Sequence, residues 1–177
     1  MHELGVINLR DAIVAQAVDD YCMAVKRLAS LNMKAYSVNK IMDESDKGRG
    51  IKCSTMEEAE EERQKRIMLK ESQLYDIERF FFSQWFRELS NIDREFILEQ
   101  TKEKAIDELV WKCISSLNRV TEKNLHTKKS QRALFEYEIL KNFLNSAYLP
   151  QITERSAEEI LRYIKENVRK RSCDFFV

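Results

Sequence analysis

Apolar positions along this chain recur at spacings of three and four rather than two, which is the pattern of helices. Between Leu9 and Leu31, the residues Val14, Val18, Tyr21, Val25 and Leu28 fall on one stripe, and Asp19, Asp20, Lys26 and Arg27 fall off it. Asn8 stands where a cap belongs, and Asp11 occupies the first turn, where a carboxylate meets the positive end of the helix dipole. A second helix is expected from Thr55, which forms with Glu58 the spacing of a capping box. Its stripe is thin up to Ile67 and then dense through Leu74, Ile77, Phe81 and Trp85. Phe80, Phe82 and Phe86 add aromatic rings to the other sides of the same segment. A helix that is apolar all round is expected to be buried all round, so residues 80–86 are the expected centre of the core.

Further along, Ser90 or Asn91 is the expected cap of a third helix through Ile92, Phe96 and Ile97. That helix can run on into a fourth, carrying Ala105, Ile106, Leu109, Val110, Cys113, Ile114 and Leu117. A fifth follows through Leu134, Tyr137, Leu140 and Leu144, with Pro150 expected to break it. Ser156 and Glu159 repeat the capping-box spacing and open a last helix through Leu161, Ile164 and Val168. The stretch Asp43 to Gly50 is charged, bears two glycines and has almost no large apolar group. It reads as a flexible charged loop near residues 43–55. No repeat at a fixed period and no sustained heptad run is present. The expected fold is all-α, an irregular bundle of five to six helices. Residues 1–127 form its core domain and residues 128–177 a basic C-terminal part packed on it.

Composition agrees with long helices. The chain has 177 residues with only three glycines and one proline, too few to punctuate many strands. Net charge is zero, yet residues 1–100 carry 15 basic and 19 acidic side chains, and residues 101–177 carry 15 basic and 11 acidic. A mild acidic excess thus precedes a mild basic one. The four cysteines, Cys22, Cys53, Cys113 and Cys173, are far apart in sequence and are expected as free thiols in a reducing cytoplasm. The start of the chain has no signal-peptide pattern, and no apolar run has the length of a membrane span.

Little in the chain points to chemistry. His2 and His126 are its two histidines, so H-E-x-x-H and Glu-x-x-His metal sites are excluded. Gly48 and Gly50 flank an arginine without the strand or the Lys-Ser/Thr of a phosphate loop. No catalytic residue, metal or cofactor is expected, and the protein is read as one that binds. Two charged sets are the candidates. Glu57, Glu58, Glu61 and Glu62 form an acidic surface for a protein partner, where carboxylates could stand in for the phosphates of DNA. Lys128, Lys129, Arg132, Arg162, Lys165, Arg169, Lys170 and Arg171 form a basic surface for nucleic acid. No pattern fixes an oligomeric state.

Two segments carry a resemblance. One is Ala12-Ile13-x-x-Gln16-Ala17-x-x-Asp20-Tyr21, and the other is Ile77-Glu78-x-Phe80-Phe81-x-Ser83-x-Trp85-Phe86. Together they resemble a group of small helical proteins encoded by phages and integrative elements of Gram-positive bacteria. The likeness covers residues 7–100 apart from 32–55, and residues 101–177 do not share it. It implies a mobile-element protein acting in the cytoplasm of a bacterial host. Proteins of such elements include inhibitors of host defence, anti-CRISPR proteins among them, and accessory DNA-binding proteins. The leading expectation is an inhibitor of a host defence complex, with an effector nuclease as its protein target. The alternative is a DNA-binding accessory or regulatory protein that uses the basic C-terminal surface.

Overall fold

The computed structural model describes residues 2–168, and side chains from residue 10 on apart from Glu122. The candidate residues Arg169, Lys170 and Arg171, together with Cys173, lie outside them. Among the described residues, eight α-helices follow one another: α1 (His2–Asn32), α2 (Lys34–Asp46), α3 (Met56–Phe82), α4 (Gln84–Leu89), α5 (Arg94–Leu117), α6 (Lys128–Leu144), α7 (Leu149–Ile152) and α8 (Ala157–Asn167). A 3-10 turn lies at Glu122–Asn124. Among the described residues there is no strand, and no helix is long and apolar enough to cross a membrane. The fold class is all-α.

The chain divides into two compact units, Met1–Ala105 and Ile106–Val177, and the division falls within α5. The sequence position 127/128 lies inside the second unit. In the first unit, α1 packs on α3, and α2 packs on both. Of the expected stripe of α1, Tyr21, Val25 and Leu28 are almost wholly buried, and Val14 and Val18 are half-buried. Its start differs, because α1 runs through Asn8 and that residue is not its cap. The far end of α1 is closed by side chains. Arg63 Nε donates to the Leu31 carbonyl at 2.8 Å, and Ser37 Oγ lies 2.7 Å from the Ser30 carbonyl. Carbonyls in the last turn have no partner within their own helix, so these bonds meet a need and fix the corner between α1 and α2.

Residues 43–46, where the charged loop was expected to begin, are the last turn of helix α2, which starts at Lys34. Val38 and Ile41 lie on one face of α2 and join Cys53 and Ala59 in a small cluster with Met42 against it. The acidic C-terminal turn of α2 opposes its dipole. Ion pairs offset this: Asp43 with Lys47, and Glu44 with Arg66 at 2.9 Å. What remains of the expected loop near 43–55 is the connection 47–55. Ser45 Oγ accepts from the Cys53 N–H at 2.8 Å and donates to the Cys53 carbonyl at 3.1 Å. Gly48 and Gly50 adopt φ of 65° and 87°, which a residue with a Cβ rarely tolerates.

The helix expected over Thr55 to Phe86 is two helices. Thr55 closes its capping box with Glu58 as the spacing predicts. At Ser83 the backbone turns extended, with ψ of 158°. Ser83 Oγ bonds back to the Phe80 carbonyl at 2.7 Å and accepts the Phe86 N–H at 3.0 Å. One hydroxyl thus ends α3 and caps α4. The break redistributes the aromatic cluster. Phe81 and Phe86 are fully buried with ring centroids 5.4 Å apart, whereas Phe82 is 42% and Trp85 54% exposed. The expectation that residues 80–86 are buried on all sides therefore holds for part of the segment only.

Helix α5 is continuous over the third and fourth expected helices, and its cap is Asp93, whose Oδ1 accepts the Phe96 N–H at 2.8 Å. Ser90 instead accepts the Ile92 N–H at 3.1 Å in the turn before it. In the second unit, Val110, Ile114, Leu117, Leu140, Phe143, Ile160 and Ile164 are all buried. Helix α6 ends at Leu144, before the proline. Pro150 is the second residue of the short α7, in the first turn, where its missing N–H costs no helical bond. The Ser156–Glu159 capping box is present at the start of α8.

Candidate functional site

The acidic set is divided by its own helix. Positions 57–62 span more than one turn of α3, so its members face different ways. Glu57 and Glu61 are exposed. Glu58 accepts the Thr55 N–H at 3.3 Å in the capping box. Glu62 is buried, and its Oε1 lies 2.8 Å from Arg66 Nε. Three of the four carboxylates are thus exposed, Glu58 among them although it serves the helix cap, and only Glu62 is enclosed. Between them, burial raises the pKa of Glu60, but bonds from Gln64 and Arg63 and the charge of Lys34 bring it below the ordinary carboxylate range.

The basic set gathers more closely in the second unit. Lys128 and Lys129 are the first two residues of α6, and both are exposed. There they oppose the helix dipole, so a dipole role does not explain them. Arg132 is exposed and pairs with Glu136 at 3.4 Å, an acid that also meets Lys112 at 3.3 Å. Arg162 and Lys165 are exposed on α8, which packs on α6. Polar bonds link the ends of these helices. Asn118 Nδ2 donates to the Asn167 carbonyl at 3.5 Å. Asn124 Nδ2 donates to the Arg119 carbonyl at 2.8 Å, and its Oδ1 accepts from Ser130 Oγ at 2.9 Å. One end of this unit therefore carries Arg119, Lys123, Lys128, Lys129 and Lys165, with Glu166 also exposed there.

The structure adds a feature that the charge pattern did not reveal. A groove of about 690 Å³ runs between α1 and α3 in the first unit. Ala12, Ile13 and Ala17 line one side, and Ile77 and Phe80 line the other, with Trp85 beside them. Trp85 sets its ring edge-on to Phe80 at 5.6 Å. Asp20 and Asp76 are the two acids in the lining. Gln16 donates to Asp20 at 2.8 Å, and Lys70 is held by Gln73 at 2.7 Å. Tyr21, on the next position of α1, turns inward, and its hydroxyl donates to Glu78 at 3.2 Å, an acid paired with Lys102 at 3.1 Å. Burial, and then the Glu78 charge, push the Tyr21 phenol well above its ordinary pKa.

Apart from Glu78 and Ser83, the residues that carried the resemblance part into two groups. Tyr21, Phe81 and Phe86 are core, whereas Ala12, Ile13, Gln16, Ala17, Asp20, Ile77, Phe80 and Trp85 line the groove. A signal for it exists in the sequence: Ile13 and Ala17 make a second apolar stripe beside the core stripe of Val14, Val18 and Tyr21. Comparison of the chain with protein-family models, with curated protein sequences and with solved structures gives no match.

Proposed function

We propose that this protein acts by binding, without catalysis, and that it inhibits a host defence complex by capturing a helical segment of one of its proteins in the α1–α3 groove. The observation that carries the reading is the groove itself. Its α3 side extends from Leu69 to Phe80, about 16 Å at the rise of a helix, which accommodates about three turns of a partner helix. Ala12 and Ala17 leave room for close approach, and the half-exposed Trp85 is the residue type that most often anchors an interface. Asp20 and Asp76 favour a partner whose apolar stripe is followed by a lysine or arginine. The resemblance to mobile-element proteins supports a defence nuclease, such as a CRISPR effector, as the target. Inhibition then requires only that the captured segment be one the nuclease must move or load with nucleic acid.

The test is a plasmid-interference assay in a bacterial host carrying such an effector. The protein should restore plasmid recovery. Ala17→Arg, a good helix former that fills the groove, should abolish the effect while leaving helical content unchanged. Full protection by Ala17→Arg, or no protection by the unaltered protein, would sink the reading.

A second reading is favoured by the gathered basic end of the second unit, which suits DNA phosphates. It expects affinity for plain duplex DNA that falls steeply with salt and falls again in Lys128→Glu with Lys129→Glu. Salt-independent or absent binding would remove it.

A further inference from the structure

A second concavity of the first unit lies where α1, α2 and α3 meet, and its chemistry is unlike that of the groove. It encloses about 470 Å³, within the range of sites that hold small molecules. Five of its lining residues are cationic: Lys26 and Arg27 from α1, Lys40 from α2, and Arg66 and Lys70 from α3. Glu44 is the one acid in the lining, and it is engaged by Arg66 at 2.9 Å. Arg66 is held from its other side by Glu62 at 2.8 Å, so its charge is compensated and its role is to brace the wall.

Several other cations of this unit are paired with acids. Lys34 and Arg63 meet Glu60, Lys47 meets Asp43, Lys102 meets Glu78 and Lys104 meets Asp19. Among the described residues, Lys26, Arg27 and Lys40 have no carboxylate within ion-pair distance. Like charges brought together in one recess repel, and they repel more strongly where the walls exclude water. A bound anion removes that cost.

The rest of the lining shows what kind of anion fits. Met23 is 48% and Leu69 63% exposed, large apolar groups left in contact with solvent at the cleft. Leu31, Ile41 and Tyr36 extend the apolar wall. Inorganic phosphate would use the cations and leave this surface wet. A ligand with a flat, weakly polar ring joined to a chain of phosphates would cover both. The walls are also fixed in place. The corner that joins α1 to α2 is tied by Ser37 and Arg63, and α2 is tied to α3 by the Glu44–Arg66 pair.

We infer that this cleft is a binding site for a nucleotide bearing two or more phosphates, with Lys26, Arg27, Lys40 and Lys70 on the phosphates and the Met23–Leu69 side against the base. The inference does not depend on the groove having a helical partner. Lys26 and Lys40 line the cleft only, whereas Leu69 and Lys70 line both, so the first two are the residues to change.

The experiment is isothermal titration of the full chain with ADP, inorganic pyrophosphate and adenosine as probes. ADP should bind, pyrophosphate more weakly, and adenosine not detectably. Lys26→Glu and Lys40→Glu should each weaken ADP by about tenfold or more, the value of one charge-assisted hydrogen bond. Lys165→Glu, on the other unit, should leave it unchanged, and circular dichroism should show all three variants folded. Absence of ADP binding at millimolar concentration would overturn the assignment. So would equal losses in Lys165→Glu, or equal affinity for pyrophosphate and ADP. Displacement of ADP by a polyglutamate peptide at lower concentration would also overturn it and give the cleft to an acidic protein segment.

Discussion

Glu61 and Glu62 are neighbours in sequence with opposite fates, because a helix rotates successive side chains by about a quarter turn or more. Glu61 is exposed, and Glu62 is enclosed against Arg66. Removal of Glu62 leaves Arg66 with Glu44 alone. Glu62→Ala should therefore cost about 1–2 kcal/mol in urea unfolding, part of the penalty of breaking a buried pair. Glu61→Ala should change stability by less than about 0.5 kcal/mol. Cys113 offers a test against pH. Burial, aided by Glu136 and opposed by Lys112, pushes its thiol from 9.0 up to about 12. The unfolded chain thus releases this proton at a lower pH than the native one. The contribution is fully present below pH 9 and is lost as pH rises toward 12. Cys113→Ala should flatten that alkaline fall in unfolding free energy. Peptide mapping after iodoacetamide at neutral pH should find Cys22, Cys53 and Cys113 unmodified, since all three are buried.

At the scale of elements, Ser83 decides how seven residues of aromatic-rich sequence are shared between core and surface. Ser83→Ala removes a cap and should cost about 1 kcal/mol, whereas Phe86→Ala empties a fully buried position and should cost about 3–5 kcal/mol. Thermal unfolding of the two variants measures the difference, and a cost for Ser83→Ala as large as that for Phe86→Ala would show that the break holds the core together. The same residue explains what was legible in the sequence. The capping boxes at Thr55 and Ser156 were readable because a cap is a local bond between residues three apart. The Ser83 break was not, because Phe80 to Phe86 continue the apolar rhythm on both sides of it. Helix α2 was hidden for the reverse reason. Its acidic end looks like a solvated loop until Lys47, and Arg66 from 22 residues away, supply the opposite charge. Long-range pairing of this kind leaves no local trace. The groove and the cationic cleft were hidden likewise, since each needs two or three helices to be laid side by side.

For the molecule as a whole, charge is sorted by place more sharply than by sequence. The two halves of the chain differ only mildly in balance. Yet the first unit sets five cations and a single acid around one recess, and the second sets Arg119, Lys123, Lys128, Lys129 and Lys165 at the end where Asn118, Asn124 and Asn167 hold three segments together. Each surface has its own variant: Ala17→Arg for the groove, Lys40→Glu for the cleft and Lys128→Glu for the basic end. Loss of one function with the other two retained would assign it without ambiguity.

The chain's two tryptophans fall one to each unit. Trp85 stands half-exposed at the groove, and Trp111 stands half-exposed with its edge toward Tyr163 at 6.2 Å. Each unit therefore carries a fluorophore of its own. A Trp111→Phe protein emits from the first unit alone and a Trp85→Phe protein from the second alone. Emission spectra recorded through a denaturant gradient then tell, without any label, whether the two units melt together or in turn. The same Trp111→Phe protein reports a helix entering the groove as a blue shift.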